Sequence, residues 1–282
     1  VEGQAARLQE SPFSGAVQAN VAALSAYQRR TAIVRAQHTV GRVRATLAYD
    51  FNNFTFSDIT FTNRSRISQA DRDRAIHRVT GQAEYAVSPS LSFYGQASYA
   101  DTNYDRALLN GQRNRDSNAY RVIGGINFDL SAFMRGTIGA GYVQRNYRAA
   151  IYDDVGGVSA EARIEYFPTV LTTVTLSLRR ILDDSNIGGS AAYFDNQAAL
   201  RVDHGLRENL LLNAAVAYTH QNYLRSSQSS DIFRVDGGAR YLVSRSVELF
   251  GSATYGGRSQ PGIVDGGNVK ELAAEIGLLL KR

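Results

Sequence analysis

The sequence predicts an all-β protein: a single closed antiparallel transmembrane β-barrel of about 14 strands (roughly 12–16), with up-and-down hairpins, short turns at one end and longer loops at the other. Three observations predict it. Apolar and polar residues alternate with a period of two over long segments. Short turns and longer polar loops succeed one another strictly along the chain. Aromatic residues gather near strand ends, sorted by the connection they adjoin.

The alternation is clearest between Leu171 and Tyr218. Val174, Leu176 and Leu178 share a face, against Thr173, Thr175, Ser177 and Arg179. Phe194, Ala198, Leu200 and Val202 then oppose Asp195, Gln197, Arg201 and Asp203. After the turn HGLREN come Leu210, Leu212, Ala214, Val216 and Tyr218.

Taken from its beginning, the chain shows Val17, Ala19, Val21 and Ala23 in phase over Gly15 to Tyr27, opposed by Gln18 and Asn20. Thr31 to His38 is a second strand, and Val43, Ala45, Leu47, Tyr49 and Phe51 mark a third. The polar loop SDITFTNRSRISQADRDR leads to His77, Val79, Ala83, Tyr85 and Val87. Ser88-Pro89-Ser90 turns into Leu91, Phe93, Ala97 and Tyr99. A loop over 103–116 precedes Tyr120, Val122, Ile126 and Phe128, and a turn at Ser131 to Phe133 precedes Ile138, Ala140 and Tyr142. Val158, Ala160, Ala162, Ile164 and Tyr166 follow a loop near 150–157. Beyond the loop LRSSQSSD come Phe233, Val235, Ala239, Tyr241 and Val243, then Val247, Leu249, Ala253 and Tyr255. The loop GRSQPGIVDGG precedes Leu272, Ala274, Ile276, Leu278 and Leu280, with Glu271, Glu275 and Lys281 opposed.

The short turns fall near residues 39, 89, 132, 169, 206 and 245, so the repeating unit is a hairpin of about 40 residues. A propeller blade packs four strands into such a period, and these strands are too long for that. Soluble strands average five or six residues, whereas a tilted membrane-spanning strand needs about 9–11. No apolar run approaches a membrane-spanning helix. Alternating strands escape that test, because their two faces cancel in any hydropathy window.

Composition narrows the chemistry. The 282 residues contain no Cys, which removes disulfide frameworks, thiolate metal sites and cysteine nucleophiles. The 31 Lys and Arg are interleaved with 26 acids and form no cluster, so no nucleic-acid partner is expected. The opening VEGQAARLQESPFSG lacks the basic start, apolar stretch and cleavage site of a signal peptide, as a chain already processed or lacking its first residues would.

In hydrocarbon a sheet must satisfy every backbone group internally, so it spans only by closing on itself. One set of aromatics lies at the long-loop side: Tyr49, Phe51, Tyr99, Tyr120, Tyr142, Tyr218, Phe233 and Tyr255. Tyr85, Phe93, Phe128, Phe133, Tyr166 and Tyr241 lie at the short-turn side. Two such girdles are what amphipathic rings adopt at membrane interfaces. The opposite faces are expected to line the interior. They carry Arg42, Arg44, Arg78, Glu84, Arg121, Asp129, Glu161, Arg163, Glu165, Arg179, Arg201, Asp203, Arg234, Asp236, Arg240, Glu248 and Glu275. A mid-plane Arg facing lipid costs roughly 2–4 kcal/mol. The pairs Arg201/Asp203 and Arg234/Asp236 and the triple Glu161/Arg163/Glu165 mix signs. That favours a salt-bridged interior over a strongly ion-selective ring.

Enzymatic readings find little support, and no enzyme, cofactor or metal site is expected. His38 and His204 sit at short turns, His77 and His220 toward the long loops. Asp203-His204 are strand neighbours that point to opposite faces, and no Ser can be placed with them. The acid pairs Asp71/Asp73, Asp153-Asp154 and Asp183-Asp184 read as solvated turns before they read as calcium ligands. The glycines Gly136, Gly139, Gly141, Gly237 and Gly238 sit inside strands, where Gly marks a bend or close approach rather than a phosphate loop.

The phrases YFPTVLTTVTLSLRR, AALRVDHGLRENLLLNAAVAYTHQNY and VDGGARYLVSRSVELFGSATY, with SNAYRVIGGINFDLSAFMRGTIGAGYVQRNY before them, resemble the beta-barrel porin family of type two. The likeness is strongest from about Ser117 onward and lies in framework sequence rather than catalytic motifs. It implies an outer-membrane barrel of Gram-negative bacteria, associated in that family with exopolysaccharide production and export. Short turns would face the periplasm and long loops the outside. Residues 1–12 would form a periplasmic or lumenal extension and 13–282 the barrel. The chain departs from many outer-membrane barrels in ending Leu280-Lys281-Arg282 rather than on an aromatic, and the family's longer N-terminal sequence implies strands before Val1. The expectation is a porin-like conduit for a hydrated polar solute, the exit channel for a secreted polysaccharide. Its partners would be outer-membrane lipids and a periplasmic export protein or other envelope proteins. The alternative is a non-conducting barrel that anchors or scaffolds envelope proteins.

Overall fold

The computed structural model describes residues 1–11, 13, 22–23, 25–185, 190–260 and 268–280. In order, the strands are β1 (Glu2–Gln9), β2 (Ala26–Val40), β3 (Val43–Phe56), β4 (Ile59–Thr60), β5 (Arg66–Ile67), β6 (Arg74–Ser88), β7 (Leu91–Tyr104) and β8 (Ser117–Leu130). They continue with β9 (Met134–Tyr147), β10 (Val155–Thr169), β11 (Thr172–Asp184), β12 (Ala192–Arg207), β13 (Leu210–Tyr223), β14 (Ser229–Leu242), β15 (Val247–Ser259) and β16 (Asn268–Leu280). Fourteen of them form one antiparallel sheet in chain order, each hydrogen-bonded to its sequence neighbours, while β4 and β5 make a small hairpin in the first long loop. Among the described residues no pairing joins β1 to β16, so these two are the edges of the sheet.

The long alternating segments become strands because each residue type meets the surroundings it suits. The register keeps the apolar phase on one face throughout, through Tyr49↔Val79, Val79↔Tyr99, Tyr99↔Tyr120 and Val122↔Tyr142, then Tyr142↔Val158, Ala198↔Tyr218 and Tyr218↔Phe233. That face is open: Val122 is 60% exposed, Leu47 58% and Val158 57%. On the other face Ser159, Ser230 and Thr175 are buried. The arrangement inverts a soluble protein, and it is what a hydrocarbon solvent outside selects.

The sheet curls. Loops following β3, β7, β9, β11 and β13 converge on one cavity of about 610 Å3, lined among others by Ile59, Arg72, Leu108, Ile151, Ala192 and Leu224. Phe13, just past β1, places its ring 2.6 Å from where Gly256 on β15 would carry a Cβ. The first part of the chain therefore packs against its penultimate strand, and only Gly fits there.

Several sequence expectations change. The first strand of the sheet is Glu2–Gln9, paired with β2 from Glu2↔Ile33 to Gln9↔Ala26, and not an extension. Its pattern hides it, because Leu8 and Ala6 share a face with Glu2 and Gln4 while Gly3 and Ala5 share one with Arg7. Among the described residues of the strand expected over Gly15 to Tyr27, only Ala26 and Tyr27 are in a strand, the start of β2; Val17, Ala19 and Val21 lie outside the described residues, as does Lys281. β12 runs through the expected turn at HGLREN to Arg207, because a bulge at Leu206 lets Gly205 pair with Leu211 and Arg207 with Leu210.

Candidate channel lining and outer constriction

All seventeen charged residues expected to line the interior lie in the polar phase. Residues two apart on a strand share a face, and Arg201 Nη2 meets Asp203 at 2.6 Å, Arg234 Nε meets Asp236 at 3.0 Å and Arg163 Nη2 meets Glu165 at 2.8 Å. Neighbouring strands add Arg135–Glu165 at 2.6 Å and Arg44–Glu84 at 3.5 Å, each pair directly opposite in register. Glu161 leaves the triple read from the sequence and pairs instead with Arg121, two strands away, at 2.8 Å. Among the described residues, the ion pairs between strands join strands no more than two apart. They run along the inner face between near neighbours in the sheet.

At the centre of this wall Tyr94 on β7 lies flat across β8 and β9. A Cβ on Gly125 would sit 2.6 Å from its ring, and one on Gly139 would sit 2.1 Å from its hydroxyl. The two glycines leave a slot through which the Tyr94 hydroxyl reaches Glu161 on β10, donating at 3.1 Å. Arg121 completes the cluster, donating from Nε to Ser159 Oγ at 2.9 Å and from Nη1 to Gln96 Oε1 at 3.3 Å.

Toward the long loops the wall changes course. β10 pairs with β9 as far as Val155↔Arg145, and β11 with β12 as far as Asp184↔Ala192. Pairing between β10 and β11 nevertheless stops at Ala160↔Arg180. Beyond that point β11 and β12 tuck inward. Leu182, Ala192 and Phe194, outward by phase, are buried against Val143 and Val155, which belong to the inner face of β9 and β10. The Phe194 ring fills the place of a Cβ on Gly157, 2.7 Å away. Arg145 on β9 is ion-paired with Asp184, and the side chains of both are largely buried.

The inward tuck crowds the inner side of the sheet at its long-loop end. Tyr104, Tyr147, Tyr193 and Tyr223 lie on that side, with Arg74 and Arg115 stacked on Tyr104 at 5.7 and 5.2 Å. Asp183 lies within electrostatic reach of both Arg145 and Arg74, the latter at the start of β6. Asp183 keeps exposed surface at this end of the sheet. None of these inner aromatics belonged to the expected girdles. Their even phase in β7 and odd phase in β9, β12 and β13 would have placed them inside. Asp183-Asp184 likewise leave the set of loop acid pairs, since they end β11 and Asp184 is ion-paired.

The thirteen interface aromatics, Tyr49, Phe51, Tyr85, Phe93, Tyr99, Tyr120, Phe128, Tyr142, Tyr166, Tyr218, Phe233, Tyr241 and Tyr255, all lie in the outward phase. His204 bonds Thr172 at 2.9 Å and not Asp203, which is committed to Arg201. His220 bonds Asp231 at 2.8 Å. In the loops, Asp73 Oδ1 accepts the Phe56 backbone N–H at 2.7 Å and Asp154 Oδ1 that of Tyr147 at 2.9 Å. Burial pushes the Asp73 carboxyl up, helped by the charge of Asp105, against the lowering effect of the Phe56 N–H. Burial also pushes the Tyr152 hydroxyl up, as it donates to the Arg113 carbonyl at 3.1 Å.

An antiparallel sheet that is apolar outside and ionised inside, in hairpins of this length, defines a protein of the membrane-barrel type. The chain belongs to the family described as Putative beta-barrel porin 2, which it matches over residues 1–282. Among solved structures it is similar to the ferric yersiniabactin uptake receptor FyuA from Yersinia pestis, at 10% identity and a TM-score of 0.51, with 90% of this chain and 47% of that one covered. It is also similar to a mutant of the ferric enterobactin receptor PfeA from Pseudomonas aeruginosa, at 8% identity, TM-score 0.49, with 90% and 54% covered. The CymD monoaromatic hydrocarbon channel matches at 13% identity, TM-score 0.38, with 94% and 89% covered. The chain spans about half the length of the two receptors. At such identities the shared property is the barrel-type fold. No curated protein matches the chain.

Proposed function

We propose that the sheet closes into a barrel in the bacterial outer membrane and serves as a conduit for a hydrated polar solute, the exit channel for a secreted polysaccharide, working with a periplasmic export partner. The observation that carries this reading is the inner face: its strand-to-strand ion pairs join strands no more than two apart, and Asp183 stays exposed toward the long loops. Closure is supported by the curl that brings Phe13 to Gly256, and by the cost of leaving the β1 and β16 edges unpaired in lipid. The family supports a membrane channel; the solute rests on the polar, Tyr-bearing interior and on the family resemblance. Nothing in this role calls for a catalytic step.

The test is single-channel conductance of the purified protein in planar bilayers. Stable open steps are expected, blocked reversibly by soluble polysaccharide. The tucked β11–β12 end favours a second reading, a non-conducting barrel that anchors envelope proteins. Silence in the bilayer together with co-purification of an envelope protein would establish it.

A further inference from the structure

Among the described residues, pairing between β10 and β11 stops short above Ala160↔Arg180, while both strands run on. What stands in for it is specific. Arg180 Nε donates to the Val158 carbonyl at 3.0 Å, a group on the edge that β11 has left. Ser159 Oγ donates to the Arg180 carbonyl at 3.1 Å, and the Arg180 guanidinium lies 4.1 Å over the Phe194 ring. These side-chain contacts replace main-chain pairing at the point where the wall opens, which matters beside lipid because exposed backbone groups find no water there.

The abandoned partners remain in step. Continuing the register places Val158 opposite Leu182 and Gly156 opposite Asp184, with no insertion or slip needed. Val158 faces outward and is 57% exposed, while Leu182 is 9% exposed on the inner side. Two arrangements of the same residues are therefore available. The tucked one holds the apolar cluster of Leu182, Phe194, Val143 and Val155 and the Arg145–Asp184 ion pair. The other exchanges these for ladder hydrogen bonds along β10. Each gains what the other gives up, which is the requirement for a two-state element.

We propose that residues 181–184 of β11 and 192–194 of β12 form a gate, tucked inward to narrow the bore and swung outward to zip onto β10 and widen it. The proposal rests on the conduit reading, and the test separates the two. The chain has no Cys, so paired cysteines can be placed without background. In the zipped state Val158→Cys and Leu182→Cys would face each other with Cα atoms about 4.5–5.5 Å apart, within disulfide reach. In the tucked state they lie on opposite sides of the wall. Ala162→Cys with Leu178→Cys, already opposite in register, is the control that must cross-link in either state. The protein refolded in lipid vesicles is oxidised mildly, and cross-linking is read by electrophoretic mobility.

A 158–182 disulfide in folded protein, rising several-fold when Asp184→Asn removes the ion pair, is the expected result, with larger conductance steps in the oxidised than in the reduced form. Absence of the disulfide while the control pair cross-links overturns the gate. A disulfide without any change in open-step size also overturns it. A disulfide with both forms silent supports the swing and overturns the conduit reading instead.

Discussion

Replacing Gly139 by Ala tests the slot that holds Tyr94. The new Cβ would lie 2.1 Å from the Tyr94 hydroxyl oxygen, 3.0 Å from Ile123 Cγ2 and 3.1 Å from the Tyr94 ring. Only the hydroxyl contact is impossible; the other two are tight. Tyr94 must move, and it then loses its 3.1 Å bond to Glu161. Overpacking of this kind costs about 1–3 kcal/mol, and a hydrogen bond to a charged group about 1.5–3 kcal/mol. The cluster is part-exposed, which puts the combined loss near 2–3 kcal/mol, at the low end of that sum. Tyr94→Phe alone loses only the hydrogen bond, about 1–2 kcal/mol. It also removes the atom that the new methyl strikes. Gly139→Ala in the Tyr94→Phe background should therefore cost about 1 kcal/mol or less, a coupling of about 1–2 kcal/mol between the two sites. Denaturant unfolding of protein refolded in lipid vesicles measures all four corners of the cycle. Additive costs, within the roughly 0.5 kcal/mol expected of independent sites, would refute the slot.

Three further outcomes follow from the same structure. Val122→Arg places a guanidinium on the lipid face and should cost roughly 2–4 kcal/mol in lipid vesicles, while Gln37→Arg on the inner face should cost much less; equal costs would mean that the two faces share one solvent. Arg121→Met strands Glu161 with Tyr94 as its remaining partner and should cost about 1–3 kcal/mol, relieved in part by Glu161→Gln, as read from unfolding midpoints. Asp73 has a raised carboxyl pKa in the folded loop, so it contributes stability that is present at low pH and lost as pH rises through that value. Asp73→Asn keeps an acceptor for the Phe56 N–H and should flatten the fall in stability as pH rises above the ordinary carboxylate range, measured by unfolding at a series of pH values.

The strands were legible because lipid imposes one demand on every outward position. Val122, Tyr142 and Val158 obey it in adjacent strands, and the phase carries over to the charged face. β1 was not, because Glu2–Gln9 has apolar residues on both faces and acquires its place from pairing with β2. The inward tuck of β11 and β12 was invisible for a different reason. Leu182 and Phe194 keep the outward phase, and alternation specifies a face, not the neighbour that covers it. The i,i+2 ion pairs Arg201–Asp203 and Arg234–Asp236 could be read directly. The Arg121–Glu161 pair could not, since it depends on Tyr94 crossing two glycines to fix the carboxylate. The Leu206 bulge shows the same limit: a single extra residue moved a turn without disturbing the alternation on either side.

The central claim, a sheet with lipid on one face and a watery bore on the other, is tested most directly on β14. Single cysteines at Arg234, Asp236 and Arg240 occupy the inner phase, and at Phe233, Val235 and Ala239 the outer; exposed positions occur on both faces. The cysteine-free chain gives no background. With the protein folded in lipid vesicles and treated with a small charged thiol reagent, labelling is predicted at 234, 236 and 240 and none at 233, 235 and 239. Labelling of both sets alike, or of the outer set alone, would contradict it.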